Sequence, residues 1–386
     1  ILAYVFQKHK FKNELSGLSV LVGIFLLWGT ISSFLTLSVP EIVWHEWNLF
    51  VKIIIFYFIC TITLKTKHHI YIFLWAIVLS AAFYGAGEGL KYIVSGGRHI
   101  LKGISGSRLS DRNELALALN IVLPLLVFIL SNTKHKLLKA GLTVAVVLNI
   151  VAIIGSFSRG GVLGLIVVAG YFFLKSKRKL LLVCLFSTVT LSATNFIPDK
   201  WFTRMETINE MGEDNSFLGR ISAWKQATLM AVDNPIFGAG FKAGQNHVLW
   251  KMYEPEFDKL DFIVDTSHFE SPFAKAAHSI YFQVLGDQGF VGLLIFLLII
   301  LISYRKLKRV VENSDDKWMV DLAKMLQISI LVYCTGGAAL SLPYFDLSFS
   351  LFALSHCLYE IMMRKKNTNV EAPKDLNERQ NEIKGI

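Results

Sequence analysis

Several arginines lie in short stretches rich in glycine and serine that separate apolar segments of the sequence. Arg159 stands in Gly-Ser-Phe-Ser-Arg-Gly-Gly at 155–161, and Arg220 follows a glycine four residues before Trp224. Residues 95–114 add four cations in a similar background, namely Arg98, Lys102, Arg108 and Arg112. Arginine forms bidentate, charge-assisted hydrogen bonds with phosphate, and glycine lets backbone N–H groups approach an anion closely. These residues predict a site for a phosphate or pyrophosphate group.

Some of these cations have alternative interpretations. Arg98 and Lys102 can reach lipid headgroups, or can pair with the acidic residues Glu88 and Asp111. Arg220 is also suited to a salt bridge at the start of a helix. Arg159 is harder to explain in these ways, because it lies in a tight hairpin between two apolar runs and an arginine facing lipid is costly.

A histidine follows the arginines in the sequence. His278 begins His-Ser-Ile-Tyr, and on a helix it would share a face with Tyr281, Phe282 and Leu285. An unperturbed histidine has a pKa of about 6.5, so its neutral form can accept a proton near pH 7. We expect His278 to act as a general base for a hydroxyl group. A capping or surface role at a helix start is the alternative.

The composition indicates a membrane protein built from helices. The chain has 386 residues, of which 53% are hydrophobic and 18% charged, whereas soluble domains are about 25% charged. A soluble enzyme, a disordered tail and a disulfide-linked secreted module are therefore excluded. We predict an all-α, polytopic membrane protein with ten spans. They lie at about 15–37, 47–64, 69–94, 115–131, 138–154, 157–174, 180–197, 281–303, 325–342 and 345–363.

The charges of the loops predict how the spans are oriented. Alternate loops hold 21 lysines and arginines, which places them in the cytoplasm by the positive-inside rule. The opposite side then carries a long acidic segment. The predicted organisation is an N-terminal transmembrane bundle at 1–195, an extracytoplasmic helical loop domain at 196–278, C-terminal transmembrane helices at 279–364 and a disordered cytoplasmic tail at 365–386.

Other kinds of chemistry have no support in the sequence. The four cysteines, Cys60, Cys184, Cys334 and Cys357, stand far apart in apolar runs, which is typical of buried thiols. We find no motif with metal-ligand spacing, no P-loop and no serine-hydrolase motif. The net charge of +10 is explained by cytoplasmic loops, so we expect membrane lipids and no nucleic acid as partners, and no cofactor or metal.

Three motifs in this order resemble the O-antigen ligase and polymerase superfamily of bacterial membrane glycosyltransferases. They are Ser-Phe-Ser-Arg-Gly-Gly at 156–161, Gly219-Arg220 with Trp224 and the stretch 234–240, and His278-Ser-Ile-Tyr ending in Asp-Gln-Gly at 287–289. The stretch 111–118 is most similar to the O-glycosylation ligases associated with exosortase systems. Arg112 departs from the family's more usual Asn, and Asp287 from its common Glu.

The resemblance implies a metal-independent, inverting transfer of a glycan from undecaprenyl pyrophosphate. Arg159 and Arg220 would hold the pyrophosphate, and His278 would activate the acceptor hydroxyl. Other residues expected to contact the donor or the glycan are Arg98, Lys102, Arg108, Arg112, Ser158, Trp224 and Tyr281. The acceptor would be the lipid A core, a glycan or a protein hydroxyl, on the periplasmic side of the bacterial inner membrane. The superfamily's usual twelve spans would fit a chain that lacks two at its N-terminus.

Two other functions remain possible at this point. A polysaccharide polymerase of the same superfamily would differ only in its acceptor, which the motifs do not distinguish. A membrane transporter is less favoured, because transporters place ionisable groups near the centre of the bilayer, and the predicted span centres are almost free of charge.

Overall fold

The computed structural model describes residues 16–175, 215–269 and 271–384, in which every regular element is a helix. Two short 3₁₀ helices, Ala243–Gln245 and Glu254–Leu260, accompany eleven α-helices within these residues. The α-helices are α1 (Gly17–Phe34), α2 (Pro40–Thr63), α3 (Lys67–Val94), α4 (Arg112–Asn132), α5 (Lys136–Gly155), α6 (Arg159–Lys175), α7 (Asn215–Asp233), α8 (His247–Tyr253), α9 (Ile280–Asn313), α10 (Lys317–Gly337) and α11 (Asp346–Lys384).

The predicted all-α membrane fold is confirmed. Seven of the described helices, α1 to α5, α9 and α10, are long and apolar enough to cross a membrane. Helix α6, which coincides with a predicted span, has 17 residues, and the predicted span at 180–197 lies outside the described residues. The total of ten therefore stays a prediction.

The C-terminal residues differ from the expectation of a disordered tail. Helix α11 starts in the bundle at Asp346 and continues to Lys384, so residues 365–384 are helical. Extending an existing helix by one residue costs much less than nucleating a new one, which explains how polar residues after a buried helix can continue it.

Polar residues fix where the membrane helices begin. Thr66 Oγ1 accepts the N–H of His69 at the start of α3, and Asp111 Oδ1 accepts the N–H of Asn113 at the start of α4. Both are side chains that satisfy donors left unpaired in the first turn of a helix. The loop that carries Arg98, Lys102 and Arg108 therefore ends at a defined position.

Helix α4 lies at the centre of the bundle, and 78% of its most apolar 18-residue stretch is buried. Small residues allow α6 to approach it closely: a Cβ added to Gly161 would lie 2.9 Å from the Cβ of Ala116. Asn120 then reaches across and donates a 2.9 Å hydrogen bond to the carbonyl of Gly161. Close contact between small residues is the usual way in which helices associate in lipid.

The segment from α7 to residue 278 has a small core of its own. Trp250, Tyr253 and Phe257 pack there against alanines and Met230 of the neighbouring segments. Lys225 is buried in α7 and pairs with Asp261 and the hydroxyl of Thr266. A buried lysine is tolerated only with such partners, so this contact fixes the 254–266 segment against α7.

The turn at 234–240 docks onto a break in α9. Gly289 has a φ of 70°, which interrupts the helix and leaves backbone groups without helical partners. The turn supplies them: Ala239 N–H donates to the carbonyl of Gly286, Gly240 N–H donates to that of Asp287, and Phe290 N–H donates to that of Pro235, each at 2.9 Å. The loop domain is thereby joined to the membrane bundle through main-chain hydrogen bonds.

We predict that Gly289→Ala lowers the thermal stability of the protein. Gly289 has a φ of 70° and a ψ of −172°, a region that is essentially restricted to glycine and costs other residues about 1–3 kcal/mol, and the new Cβ would lie only 2.7 Å from the carbonyl oxygen of Pro235. The measurement is the temperature at which half of the detergent-solubilised protein leaves its monodisperse peak. Gly87→Ala is the matched control, because no atom lies within 4 Å of its Cβ position; an equal loss in both variants would contradict the interpretation.

Candidate functional site

The first motif forms a sharp turn that ends in the start of α6. Ser158 is buried, and its Oγ accepts the N–H of Gly161 at 3.1 Å, so it caps the helix. Arg159 is the first residue of α6 and is exposed. A helix N-terminus carries a partial positive charge and binds anions. The guanidinium and the helix start therefore add to each other's positive potential.

The second motif is attached to the third through Trp224. The indole Nε1 donates a 2.5 Å hydrogen bond to the carbonyl of Ala277, and the indole stacks on Phe282 with 4.8 Å between ring centroids and 7° between ring planes. Arg220 lies one helical turn before Trp224 on α7. These contacts hold the Arg220 turn beside the residue that follows Ala277, which is His278.

The expectation that His278 lies on the helix was wrong. Helix α9 begins at Ile280, Ser279 is extended with a φ of −155°, and His278 has a φ of 43°. The spacing that would have placed His278 on the face of Tyr281 therefore does not apply. Instead, the backbone N–H of His278 donates a 2.9 Å hydrogen bond to Ser341 Oγ.

The segment 336–341, which begins with the last two residues of α10 and continues toward α11, connects the first and third motifs. Gly160 lies against this segment: a Cβ added to it would lie 3.7 Å from the carbonyl oxygen of Gly336 and 3.8 Å from the Cβ of Ala339. Ser341, two residues further on, holds the backbone of His278. Arg159, Arg220 and His278 are thus brought to one end of the bundle.

The imidazole of His278 is in an environment that keeps it neutral. Burial lowers its pKa below the usual range, the positive charge of Arg220 lowers the pKa further, and Asp111 acts in the opposite direction. A histidine with a lowered pKa stays uncharged at neutral pH and can accept a proton. The same interactions show that Arg220 and Asp111 both lie close enough to His278 to act on its charge.

Left-handed backbone is concentrated at this end of the protein. Within the residues that the structure describes, the non-glycine residues with a positive φ are Phe157, Lys242 and His278. Phe157 precedes Arg159 by two residues, and Lys242 follows the turn that docks onto α9. Such conformations cost about 1–3 kcal/mol each and are often found at functional sites.

Arg108 takes part in an ion-pair network around Glu46. Its Nη2 lies 3.1 Å from Glu46 Oε2, and Lys242 Nζ lies 2.7 Å from Glu46 Oε1. Glu46 is 8% exposed, so its charge requires both partners. The network joins α2, the 95–111 loop and the segment after the docked turn.

Arg98 and Lys102 are exposed. Arg98 Nε donates a 3.4 Å hydrogen bond to the carbonyl of Ser95, and the backbone N–H of Lys102 donates to Glu88 Oε2 at 3.4 Å. The ion pairs of Glu88 are with Lys91 at 2.7 Å and His99 at 2.8 Å. Glu88 thus anchors the loop through Lys91, His99 and the backbone of Lys102, and not through the side chains of Arg98 and Lys102.

The remaining predicted residues have structural contacts. Arg112 is half-buried at the first position of α4. Tyr281 donates its hydroxyl hydrogen to the carbonyl of Cys334 at 2.9 Å and so joins α9 to α10. Ser158 caps α6 and Trp224 fixes residues 277–282, as described above. The hydroxyls of Ser158 and Tyr281 and the indole N–H of Trp224 thus bond to the protein framework, so we regard the three as positioning residues.

Sequence reasoning missed three charged residues near the site. Glu46 could have been noticed as a carboxylate near the start of an apolar span. Asp111 was considered only as a partner for the loop cations. Lys275 carried no sequence signal; its Cγ would lie 3.5 Å from a Cβ added to Gly219, so this glycine makes room for the lysine next to Arg220. The described residues contain no group of three His, Cys, Asp or Glu side chains arranged to hold a metal ion.

We predict opposite shifts of the His278 pKa in two variants. Asp111→Asn removes the charge that raises the pKa, so the pKa should fall, while asparagine still caps α4. Arg220→Gln removes a charge that lowers the pKa, so the pKa should rise. The measurement is the pH dependence of His278 modification by diethyl pyrocarbonate, which reacts with neutral imidazole, followed by mass spectrometry. His135, which caps the N-terminus of α5, serves as the internal control. A shift of the His278 pKa in the same direction in both variants would contradict the assigned surroundings of His278.

Comparison with known families agrees with the motif positions. Residues 144–297 match the model of a family described as O-Antigen ligase, and this range contains Arg159, Arg220 and His278. Residues 1–135 match a family of unknown function, DUF5935. A search of curated proteins gives no match.

Proposed function

Because the chain belongs to the O-antigen ligase superfamily, we propose that it transfers a glycan from undecaprenyl pyrophosphate to an acceptor hydroxyl at the periplasmic face of the bacterial inner membrane. At a coarser level it is a multi-pass membrane enzyme of the O-antigen ligase or polymerase type. The observation that supports the finer proposal is the convergence of two arginines and a neutral histidine from three separate motifs at one end of the bundle.

The leaving pyrophosphate is the part of the donor that the arginines suit. As its bond to the sugar breaks, negative charge develops on the phosphate oxygen. Arg159, with the N–H groups at the start of α6, and Arg220 on α7 stabilise this charge from fixed positions. Groups that are already oriented need little reorganisation during the reaction, and loss of one such donor commonly costs on the order of 10²–10³ in rate.

The acceptor hydroxyl is the part of the reaction that His278 suits. The hydroxyl oxygen forms a bond to the anomeric carbon as the bond to pyrophosphate breaks, and the bonding electrons leave with the phosphate. His278 takes the hydroxyl proton, which it can do because its imidazole is neutral. A single displacement of this kind inverts the configuration of the anomeric carbon.

A polymerase is the second candidate, since it would use the same donor chemistry with a growing glycan as acceptor. The family match at residues 144–297 fits a ligase and a polymerase alike. Purified protein with an undecaprenyl-pyrophosphate-linked glycan distinguishes the two, because a ligase attaches one glycan to the lipid A core or a protein, and a polymerase lengthens the glycan itself.

We predict that His278→Ala, His278→Asn and Arg159→Ala reduce glycan transfer at least 10²-fold, on the scale expected for oriented catalytic groups. Asparagine tolerates the left-handed backbone of residue 278, so the Asn variant separates loss of the base from loss of folding. The measurement is product formation by protein that elutes as the wild type does. Near-normal transfer by His278→Asn would contradict the general-base role.

Arg220→Lys should also reduce transfer strongly, because lysine keeps the charge but lacks the planar fork that binds two phosphate oxygens. The matched control is Arg305→Lys, an exposed residue in the cytoplasmic half of α9 by the predicted orientation. The two variants are compared in the same transfer assay. Equal activity in both would show that Arg220 does not bind the donor through two hydrogen bonds.

We expect transfer to continue in the presence of EDTA, since the proposed stabilisation of the pyrophosphate relies on arginines. The test compares the initial rate with EDTA, without EDTA and after addition of Mg²⁺. Loss of activity with EDTA, restored by Mg²⁺, would replace this mechanism with a metal-assisted one.

A further inference from the structure

A second group of charged side chains lies at the other end of the bundle, far from the candidate site. Lys306 stands in the last third of α9, a helix of 34 residues and roughly 50 Å that begins beside His278. Lys306 is 9% exposed. Its Nζ lies 3.4 Å from Glu360 Oε1 of α11 and 4.1 Å from the centre of the Tyr359 ring. The loop charges predict that this end of the bundle is cytoplasmic.

One face of α11 carries the carboxylate that Lys306 contacts. His356, Glu360 and Arg364 follow one another at intervals of four residues, so they lie on one side of the helix. His356 Nδ1 lies 3.7 Å from Glu360 Oε1 and 3.0 Å from Ser16 Oγ at the start of α1. Arg364 Nε donates a 3.3 Å hydrogen bond to the carbonyl of Glu360. These contacts bring α1, α9 and α11 together around the carboxylate of Glu360.

Lys65 adds a further cation from the link between α2 and α3. It is half-buried, and it makes no ion pair with an acidic residue in the described part of the chain. Burial lowers the pKa of Lys65, the positive charge of Arg364 lowers it as well, and Glu360 opposes the shift. Lys65, Lys306 and Arg364 all lie within range of electrostatic interaction with the imidazole of His356. The three cations therefore converge on one place.

The charges of this cluster are not balanced. The described contacts give three cationic side chains one carboxylate, that of Glu360, which leaves an excess of positive charge where the side chains are buried or half-buried. Burying a charge without a partner is costly, so an anionic ligand would stabilise the cluster. Arginine can bind two phosphate oxygens at once, and lysine adds a point charge. This combination suits a phosphate group.

The surface of α9 next to the cluster is apolar and faces outward. Four residues that are 40–57% exposed follow one another at intervals of three or four positions, namely Phe290, Leu294, Leu297 and Leu301. Such spacing forms a stripe along one side of a helix, and Leu301 lies less than two turns from Lys306. A soluble anion makes no use of an apolar stripe, whereas the acyl chains of a phospholipid pack against one. Basic pockets between membrane helices on the cytoplasmic side bind lipid headgroups in the same way.

We propose that Lys65, Lys306 and Arg364 bind the phosphate of one anionic phospholipid from the leaflet at this end of the bundle. The acyl chains of this lipid lie against the stripe of α9. The cluster is at the opposite end of α9 from the residues assigned to glycan transfer, so the inference goes beyond the proposed function and does not depend on it.

The test measures lipid binding to the full chain by native mass spectrometry after removal of the lipids that purify with it. The probes are dioleoyl phosphatidylglycerol and dioleoyl phosphatidylcholine, which have the same acyl chains and differ in the net charge of the headgroup. We expect one phosphatidylglycerol to bind at least tenfold more tightly than phosphatidylcholine. Inorganic phosphate at millimolar concentration should not displace it, because this anion has no acyl chains.

Four variants locate the site. Lys65→Gln and Arg364→Gln should each weaken phosphatidylglycerol binding about tenfold and leave phosphatidylcholine binding unchanged. Glu360→Gln removes the carboxylate of the cluster, so it should tighten phosphatidylglycerol binding, which a variant that merely folds poorly would not do. Lys317→Gln is the matched control, because Lys317 is an exposed lysine at the start of α10 that pairs with Asp321 at 2.6 Å. It should bind both lipids as the wild type does.

Three results would overturn the proposal: equal binding of the two lipids by the wild type, equal losses in Lys65→Gln and Lys317→Gln, or displacement of phosphatidylglycerol by inorganic phosphate. The last result would indicate a site for a soluble anion. Weaker phosphatidylglycerol binding by Glu360→Gln would also overturn it, because the excess of positive charge would then not be what holds the lipid. No glycan is present in these measurements, so their outcome is independent of the transfer reaction.

Discussion

A break in a membrane helix must satisfy its own backbone groups, because lipid offers no hydrogen-bond partners. In this protein the break at Gly289 is paired with the turn at 234–240, and α1 adds a hydrogen bond from Ser32 to the carbonyl of Asp287. The turn follows α7 directly, so the same pairing sets the position of the helix that carries Arg220. The broken segment belongs to α9, which His278 precedes. One set of main-chain hydrogen bonds therefore fixes the second and third motifs relative to each other.

Electrostatics divides the cations of this end of the bundle into two groups. Glu46 binds Arg108 and Lys242, which fastens the glycine-rich loop to α2 and to the segment after the docked turn. Arg159 is the first residue of α6, where the positive end of the helix dipole adds to its charge. Arg220 lies in the second turn of α7, and its charge lowers the pKa of His278.

The sequence was sufficient for the class of fold and for the residues that converge, because apolar runs of about 20 residues and short motifs are both local features. Contacts between residues far apart in the sequence could not be predicted in this way. Nothing local predicts that Trp224 bonds to Ala277, or that Gly238 and Gly289 let two backbones touch. The ion pair of Arg108 with Glu46 could not be predicted, because the two residues lie 62 positions apart in the sequence. The helical position of His278 was wrong because the pattern of apolar residues does not reveal an extended Ser279.

The position of His278 before the helix, rather than on it, has a chemical consequence. A residue on α9 would turn its side chain with the helix, whereas His278 is held by a hydrogen bond to Ser341 on one side and by the Trp224 contact to Ala277 on the other. Its left-handed backbone is unfavourable alone and persists because these contacts determine it. In the proposed general-base role, an imidazole fixed in this way, with a pKa lowered by burial and by Arg220, would lose little entropy when a hydroxyl group arrives. The backbone strain at this end of the bundle is thus consistent with a site organised before its substrates bind.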